Sequence, residues 1–172
     1  MEIQNNPKNW VNELEAIMAA LRGDNGCPWD KEQTHDSLKK YLIEEVYELI
    51  EAIEGKKTQN LIDELGDVLL QVVFHSQLGS ESNQFNLQKV AEHCCKKLIR
   101  RHPHVFGSKE IKNSEEVLKE WNSIKEKESL LQHRKSIVDG VPKTLPGLSY
   151  VQKIQSRAAQ AGFEWDKISG IW

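Results

Sequence analysis

Five acidic residues fall into two short blocks. Glu44, Glu45 and Glu48 read EExxE, and Glu64 and Asp67 read ExxD. On a helix, residues three and four apart share a face, so each block would turn its carboxylates to one side. The blocks are also symmetric about Lys56: Glu48 lies eight residues before it and Glu64 eight after, Glu45 eleven before and Asp67 eleven after. In an antiparallel helical hairpin rising about 1.5 Å per residue, these pairs meet at about 12 and about 16 Å from the turn. The spacing therefore predicts two rungs of opposed carboxylates.

Carboxylates brought that close repel and raise one another's pKa. A hard divalent cation relieves the repulsion, and an all-oxygen donor set without His or Cys suits Mg²⁺ or Mn²⁺. Because Mg²⁺ fills much of its shell with water and substrate phosphate, five acids can hold one to three ions beneath a polyphosphate. EExxE alone is commonly a solvated face. Glu64 and Asp67 weigh against that reading, because they sit in the most apolar stretch of the chain, where acids are unfavourable unless paired or metal-bound. Glu51, Glu54 and Asp63 fit the rungs less well and read as surface acids. A di-iron carboxylate bundle would need Glu-x-x-His on two helices, whereas Glu48 and Asp67 hold the i+3 positions and His75 lies two turns beyond Asp67.

The elements that must position these acids are helical by periodicity. A first helix is expected over about Trp10 to Arg22, with Leu14, Ile17, Met18 and Leu21 on one face. Gly23 to Asp36 reads as a loop. Asp36 or Ser37 is expected to cap the helix of the EExxE block, which runs to about Ile53. Gly55 stands where a C-cap is expected and Thr58 where the next helix begins. That helix, about Gln59 to Gln77, is apolar nearly all round and is expected to be central and buried. Further helices are expected over about Leu87 to Arg101, from a Ser114 cap to about Lys127, and from near Pro146 or Leu148 to Gly162. The segment HPHVFGSKEIKN between the first two of these reads as a loop, and Gln132 to Gly147, with Pro142 and Pro146, as a linker. No strand alternation of useful length occurs, so the predicted fold class is an all-α helical bundle.

Composition narrows the partners. The chain has 172 residues, 28% charged, with a formal net charge of -3. That balance argues against bulk binding to nucleic acid or to a membrane surface. No apolar run approaches the length of a membrane span, and Met1 to Trp10 lack the basic start and apolar core of a secretory signal. Cys27, Cys94 and Cys95 form no CxxC pair, which fits a reducing cytoplasm.

EExxE, a fifteen-residue spacer and ExxD resemble the signature of the all-α nucleoside triphosphate pyrophosphohydrolases, the MazG branch in particular. GCPWDKEQTH (26–35), ELGDVLLQVVFH (64–75) and RRHPHVFG (100–107) resemble further signatures of that branch. The resemblance implies metal-dependent hydrolysis of NTP or dNTP to NMP and pyrophosphate, with a helical bundle completed by dimerisation or higher homo-oligomerisation. It implies Glu44, Glu45, Glu48, Glu64 and Asp67 as metal ligands. It also implies Lys97, Arg101, Trp121 and Lys125 as residues facing the nucleotide. Cations opposite the metals would suit a triphosphate, and an indole a base. Otherwise Lys97 and Arg101 would be a basic helix end complementing its dipole, and Trp121 a packing residue. Glu44 or Glu45 is the expected acceptor of the attacking water's proton. Trp29, Asp30, His35, His102 and His104 read as loop structure rather than chemistry. One departure stands out: some related domains carry a phosphate-binding lysine just before EExxE, and here Tyr41 stands there, next to Lys39 and Lys40.

The tail LPGLSYVQKIQSRAAQAGFEWDK loosely repeats LEAIMAALRGDNGCPWDK, with Trp165-Asp166 echoing Trp29-Asp30. It resembles the start of a second half, and no second EExxE follows before Trp172. The expected organisation is a catalytic domain over residues 1–131, a linker over 132–147 and an incomplete repeat from 148. The chain would then be an excised piece of a two-domain protein, a truncated gene product or a one-domain variant. The competing functional expectation is a non-catalytic dimerisation or regulatory half that keeps the acidic pocket. The apolar stripe of the tail, Val151, Ile154, Ala158, Ala161 and Phe163, is expected to pack on its own bundle or a neighbouring subunit if ordered.

Overall fold

The computed structural model describes residues 9–131, 136 and 138–163. Every regular element among them is a helix: α1 (Trp10–Arg22), α2 (Pro28–Glu32), α3 (Lys39–Gly55), α4 (Thr58–Glu81), α5 (Leu87–Arg101), α6 (Pro103–Phe106), α7 (Ser114–Leu131) and α8 (Gly147–Gln160). The chain forms two compact units divided between Lys97 and Leu98. No described helix is long and apolar enough to cross a membrane.

In the first unit α4 is the shared wall, with α1 and α3 packed along it. The core joins Met18 of α1, Leu38 just ahead of α3, and Val73 and Phe74 of α4. Leu14, Tyr41, Leu70, Leu78 and Leu87 pack round it. These residues all lie toward one end of the α3–α4 hairpin. The other end is not enclosed. Ile62 and Leu65 of α4 are at least half exposed, so the expectation of a wholly buried helix holds only for its C-terminal half. Apolar periodicity reports that a face must be covered, not which element covers it.

The hairpin turn falls on Lys56, as the spacing predicted, but the cap is shifted by one. Gly55 is the last helical residue and Lys56 itself takes the left-handed conformation, with φ 54°. The start of α3 also differs. Neither Asp36 nor Ser37 caps it; Leu38 precedes it without a side-chain cap. Thr34 and Ser37 instead close the preceding turn on each other. Ser37 N–H donates to Thr34 Oγ1 (3.1 Å) and Thr34 N–H to Ser37 Oγ (2.9 Å). Short side-chain oxygens often satisfy a turn in preference to a helix.

The loop between α1 and α3 holds the short α2 and is tied down by Arg22. This guanidinium, almost fully buried, grips Glu81 of α4 with two bonds of 2.7 Å. It donates to the carbonyls of Asp30 and Gln33 in the loop and lies 5.5 Å from the Phe74 ring centre. A two-pronged guanidinium–carboxylate pair of this kind fixes orientation as well as distance. Gly26 matters at the same corner, because a Cβ there would come within 2.0 Å of the Leu21 carbonyl oxygen.

A second tie joins two of the signature segments at their last residues. His35 and His75 approach Nδ1 to Nδ1 at 2.7 Å, with ring planes 4° apart and centroids 5.0 Å apart. That separation is the N–N distance plus two ring radii, so the rings lie end to end in one plane. One Nδ1–H donates to the other Nδ1, and the bond cannot survive protonation of both rings. Burial first, and then the charge of His35, push the His75 pKa below its usual 6.5. A depressed folded pKa means that the unfolded chain binds more protons just below 6.5. The stability from this pair is present above pH 6.5 and is lost as pH falls through the folded value. We expect chemical denaturation midpoints to drop between pH 7.5 and 5.5. In His75→Phe this part of the drop should be absent; an unchanged profile would remove the pair as its source.

In the second unit α7 is capped one residue earlier than the sequence indicated. Glu116 N–H donates to Asn113 Oδ1 (2.9 Å), and Glu116 Oε2 accepts from the Lys112 N–H (3.1 Å). The exchange resembles a capping box, with the Glu116 carboxylate reaching the N–H one residue before the cap and the Asn113 side-chain amide (3.1 Å). The loop HPHVFGSKEIKN contains the short α6. α8 ends at Gln160, two residues short of the expected end at Gly162; Gly162 beyond it has φ 87°, and Phe163 N–H donates back to the Ala158 carbonyl at 2.9 Å. Arg157 of α8 donates to the Asp139 carbonyl (2.6 Å). Ile154 and Ala158 are half-buried, while Val151, Ala161 and Phe163 are exposed, so the tail's apolar stripe is only partly covered. The Trp165-Asp166 echo lies outside the described residues.

Candidate metal centre

α3 and α4 carry the acids, and their packing brings the two blocks together. Glu45, Glu48 and Glu64 each present a carboxylate oxygen within 4.8 Å of the others. Glu45 and Glu64 are half-buried; Glu44, Glu48 and Asp67 are exposed. The electrostatic couplings follow the predicted rungs. The Glu45 carboxyl is raised above its usual 4.5 by burial, then by Asp67, with smaller contributions from Glu48, Glu64 and Glu44. The Glu64 carboxyl is raised by burial, then by Glu48, then by Asp67 and Asp63. Each half-buried acid thus feels its partner across the hairpin more strongly than any acid on its own helix. Glu51, Glu54 and Asp63 are exposed, and Asp63 accepts from Gln59.

Among the described residues, no Lys or Arg forms an ion pair with any of the five acids. Glu64 Oε2 is buried with no hydrogen-bond partner. A buried carboxylate oxygen without a donor, facing two further carboxylates, is unfavourable unless a cation completes it. The donor set is oxygen throughout, so the residues present fit a hard divalent ion. His75 is paired with His35 and, among the described residues, no histidine joins the clustered carboxylates.

The residues expected to face the nucleotide divide between the units: Lys97 ends the first, and Arg101, Trp121 and Lys125 belong to the second. Arg101 lies 5.3 Å from the Trp121 ring centre. Its guanidinium donates to Glu128, which also accepts from Arg100 (2.7 Å). The hydrogen bond from Arg101 lowers the Glu128 pKa to about 2, with help from Arg100. Trp121 also meets His102, edge-on at 4.9 Å. Arg101 and Trp121 are therefore brought together, with Arg101 already balanced by an acid.

Three groups that shape the site were missed in the sequence. Arg22 showed only as the end of the first expected helix, because two of its partners are backbone carbonyls. The His35–His75 bond had one signal, namely that two signature segments each end in His. The contact of Trp29 with Tyr41, at 5.6 Å between centroids, had none.

Residues 33–106 match the model of the MazG nucleotide pyrophosphohydrolase domain. Curated relatives agree. A nucleoside triphosphate pyrophosphohydrolase of Escherichia coli K12 is 42% identical over 95% of this chain and 62% of its own length. The nucleoside triphosphate pyrophosphohydrolase/pyrophosphatase MazG of Thermotoga maritima is 46% identical over 93% of this chain and 61% of its own. YabN of Bacillus subtilis, described as uncharacterized, is 49% identical over 83% of this chain and 29% of its own. The chain spans less than two thirds of the length of each of these relatives.

Proposed function

We propose that this chain, which carries a domain of the MazG nucleotide pyrophosphohydrolase family over residues 33–106, hydrolyses nucleoside triphosphates or deoxynucleoside triphosphates to the monophosphate and pyrophosphate. The observation that carries the reading is the cluster of Glu45, Glu48 and Glu64, with a buried, unpartnered oxygen on Glu64. Glu44, Glu45, Glu48, Glu64 and Asp67 are the proposed metal ligands. When bound, Mg²⁺ or Mn²⁺ would supply Lewis acidity to the phosphate oxygens and to water. Glu44, exposed at the edge of the cluster, or Glu45 accepts the proton of the attacking water. The water oxygen bonds to phosphorus, the α,β-anhydride bond breaks, and pyrophosphate departs. Lys97, Arg101 and Lys125 are the proposed cationic side of the triphosphate, with Trp121 stacked on Arg101 as part of that group.

Assembly as a homodimer or a higher homo-oligomer is part of the proposal. α3 has two apolar faces. One meets α4; the other, with Ile43, Val46, Tyr47, Ile50 and Ile53, is 42 to 59% exposed. A second copy would cover it. Three free cysteines fit a cytoplasmic setting. The proposed domain organisation is a catalytic domain over residues 1–131, a linker over 132–147 and an incomplete second repeat from 148. The converging acids favour this activity over a non-catalytic half. The test is pyrophosphate release from a panel of NTPs and dNTPs with Mg²⁺, using this chain alone; no release from any of them would sink the enzymatic reading.

A further inference from the structure

Two polar residues are buried among the described ones, and they differ in one respect. Ser76 is satisfied inside α4, its Oγ donating to the Val72 carbonyl at 2.7 Å. Gln71 is only 6% exposed, and its Oε1 is buried with no hydrogen-bond partner among the described residues. An amide oxygen taken out of water without a donor destabilises a fold. A position that keeps one asks for a donor that the chain itself does not supply.

Helical spacing places this amide beside the acids. Gln71 follows Glu64 by seven residues and Asp67 by four on α4. Its direction from the helix axis therefore falls between theirs, about 20° from Glu64 and about 40° from Asp67. Helical side chains lean toward the N-terminus of their helix, so Gln71 leans over the turn that carries Asp67. The symmetry about Lys56 extends to it as well: Gln71 lies fifteen residues after Lys56, and Tyr41 fifteen before. Tyr41 and Gln71 form a third rung of the hairpin, about 6 Å beyond that of Glu45 and Asp67. This rung lies toward the end where Val73 and Phe74 enter the core and Tyr41 and Leu70 pack against it. Two open carboxylate rungs thus end on a closed one that presents an unused acceptor.

The missing partner must be a donor. Phosphate oxygens accept and cannot fill the role. The waters that Mg²⁺ retains in its shell donate, and the ion's charge strengthens them as donors. We propose that Gln71 is a positioning residue of the metal centre, its Oε1 accepting from a water of the metal's shell and so fixing the ion against Glu64 and Asp67. The proposal rests on the reading of the five acids as a divalent-cation site. An amide suits the place. A carboxylate there would add a sixth negative charge to acids that already repel, whereas Gln71 supplies an acceptor without one.

The test is calorimetry of Mg²⁺ binding to the full chain without nucleotide, together with melting of the metal-free protein. Gln71→Met keeps the volume and removes the amide. It should weaken Mg²⁺ binding by about tenfold, the lower end of the usual cost of losing a group that orients a metal's shell. It should also raise the metal-free melting temperature, because a buried acceptor without a donor is gone. Gln71→Glu keeps an acceptor in place and should hold Mg²⁺ at least as tightly as wild type, while its metal-free form melts lower. In the wild type, the side-chain amide resonances of Gln71 should move as Mg²⁺ is added, a readout that needs no variant. Unchanged Mg²⁺ affinity in Gln71→Met, or amide resonances that ignore Mg²⁺, would overturn the assignment and leave the carboxylate site standing. The same holds if Gln71→Met binds Mg²⁺ as wild type does and changes only the choice between NTP and dNTP, because the amide would then serve the sugar. A metal-free Gln71→Met protein less stable than wild type would also overturn it, since the amide would have a partner without metal. If wild type binds no Mg²⁺, the cation reading of the acids falls first and the role of Gln71 falls with it.

Discussion

Asp67→Asn and Glu64→Gln should each lower Mg²⁺-dependent turnover by more than about 100-fold, because loss of groups that merely orient metal ligands already costs 10–100-fold. The two substitutions differ in their effect on the metal-free fold. Glu64 is half-buried and carries an oxygen with no donor, and its carboxyl is raised by burial and by Glu48. An acid raised in the folded state makes the native protein bind more protons than the unfolded chain. Without metal, stability is therefore highest near and below the unfolded value of 4.5, and declines as pH rises through the higher folded value. Glu45 acts with the same sign. Glu64→Gln should thus raise the melting temperature of the metal-free protein at pH 7.5 while removing activity. Mg²⁺ should raise the melting temperature of wild type, by linkage worth about 2.7 kcal/mol at a hundred times Kd, and leave Glu64→Gln almost unmoved. Differential scanning fluorimetry with and without Mg²⁺ reads both signs. A metal-free variant less stable than wild type would mean that Glu64 has a protein partner rather than a cation.

The second large effect concerns assembly. Val46, Ile50 and Ile53 recur at i, i+4 and i+7 along α3, as do Ile43, Tyr47 and Ile50, and all are exposed in the single chain. On the neighbouring helix Ile62 and Leu65 are 57% and 50% exposed. A continuous apolar face of this kind on the hairpin that carries the acids requires a cover. The protein should therefore be a dimer or larger by light scattering at micromolar concentration. Ile50→Asp would bury an unpaired charge at the centre of that face. It should dissociate the assembly and depress unfolding temperature and turnover together. A wild-type monomer at micromolar concentration would contradict this, and so would an Ile50→Asp protein that stays assembled.

The helices and both carboxylate rungs could be read from residue spacing because helical rise converts sequence offset directly into height. Glu48 opposite Glu64 and Glu45 opposite Asp67 needed only the position of the turn at Lys56. What escaped depended on partners that spacing does not encode. Arg22 serves two backbone carbonyls and an acid 59 residues away. The left-handed residue is Lys56 although Gly55 adjoins it, and α3 starts without the expected cap. The apolar sequence of α4 foretold burial, but only its C-terminal half is covered within one chain. Trp29 meets Tyr41 edge to face across a loop–helix junction, a contact that no sequence offset foretells.

Phosphorus NMR of a reaction mixture tests the central claim most directly. With the full chain, Mg²⁺ and one accepted NTP, pyrophosphate and the monophosphate should appear in equal amounts. Neither should appear in EDTA or with Asp67→Asn. Appearance of orthophosphate and the diphosphate, or Mg²⁺ binding without any turnover across the nucleotide panel, would contradict the assignment of the α3–α4 carboxylates to pyrophosphohydrolysis.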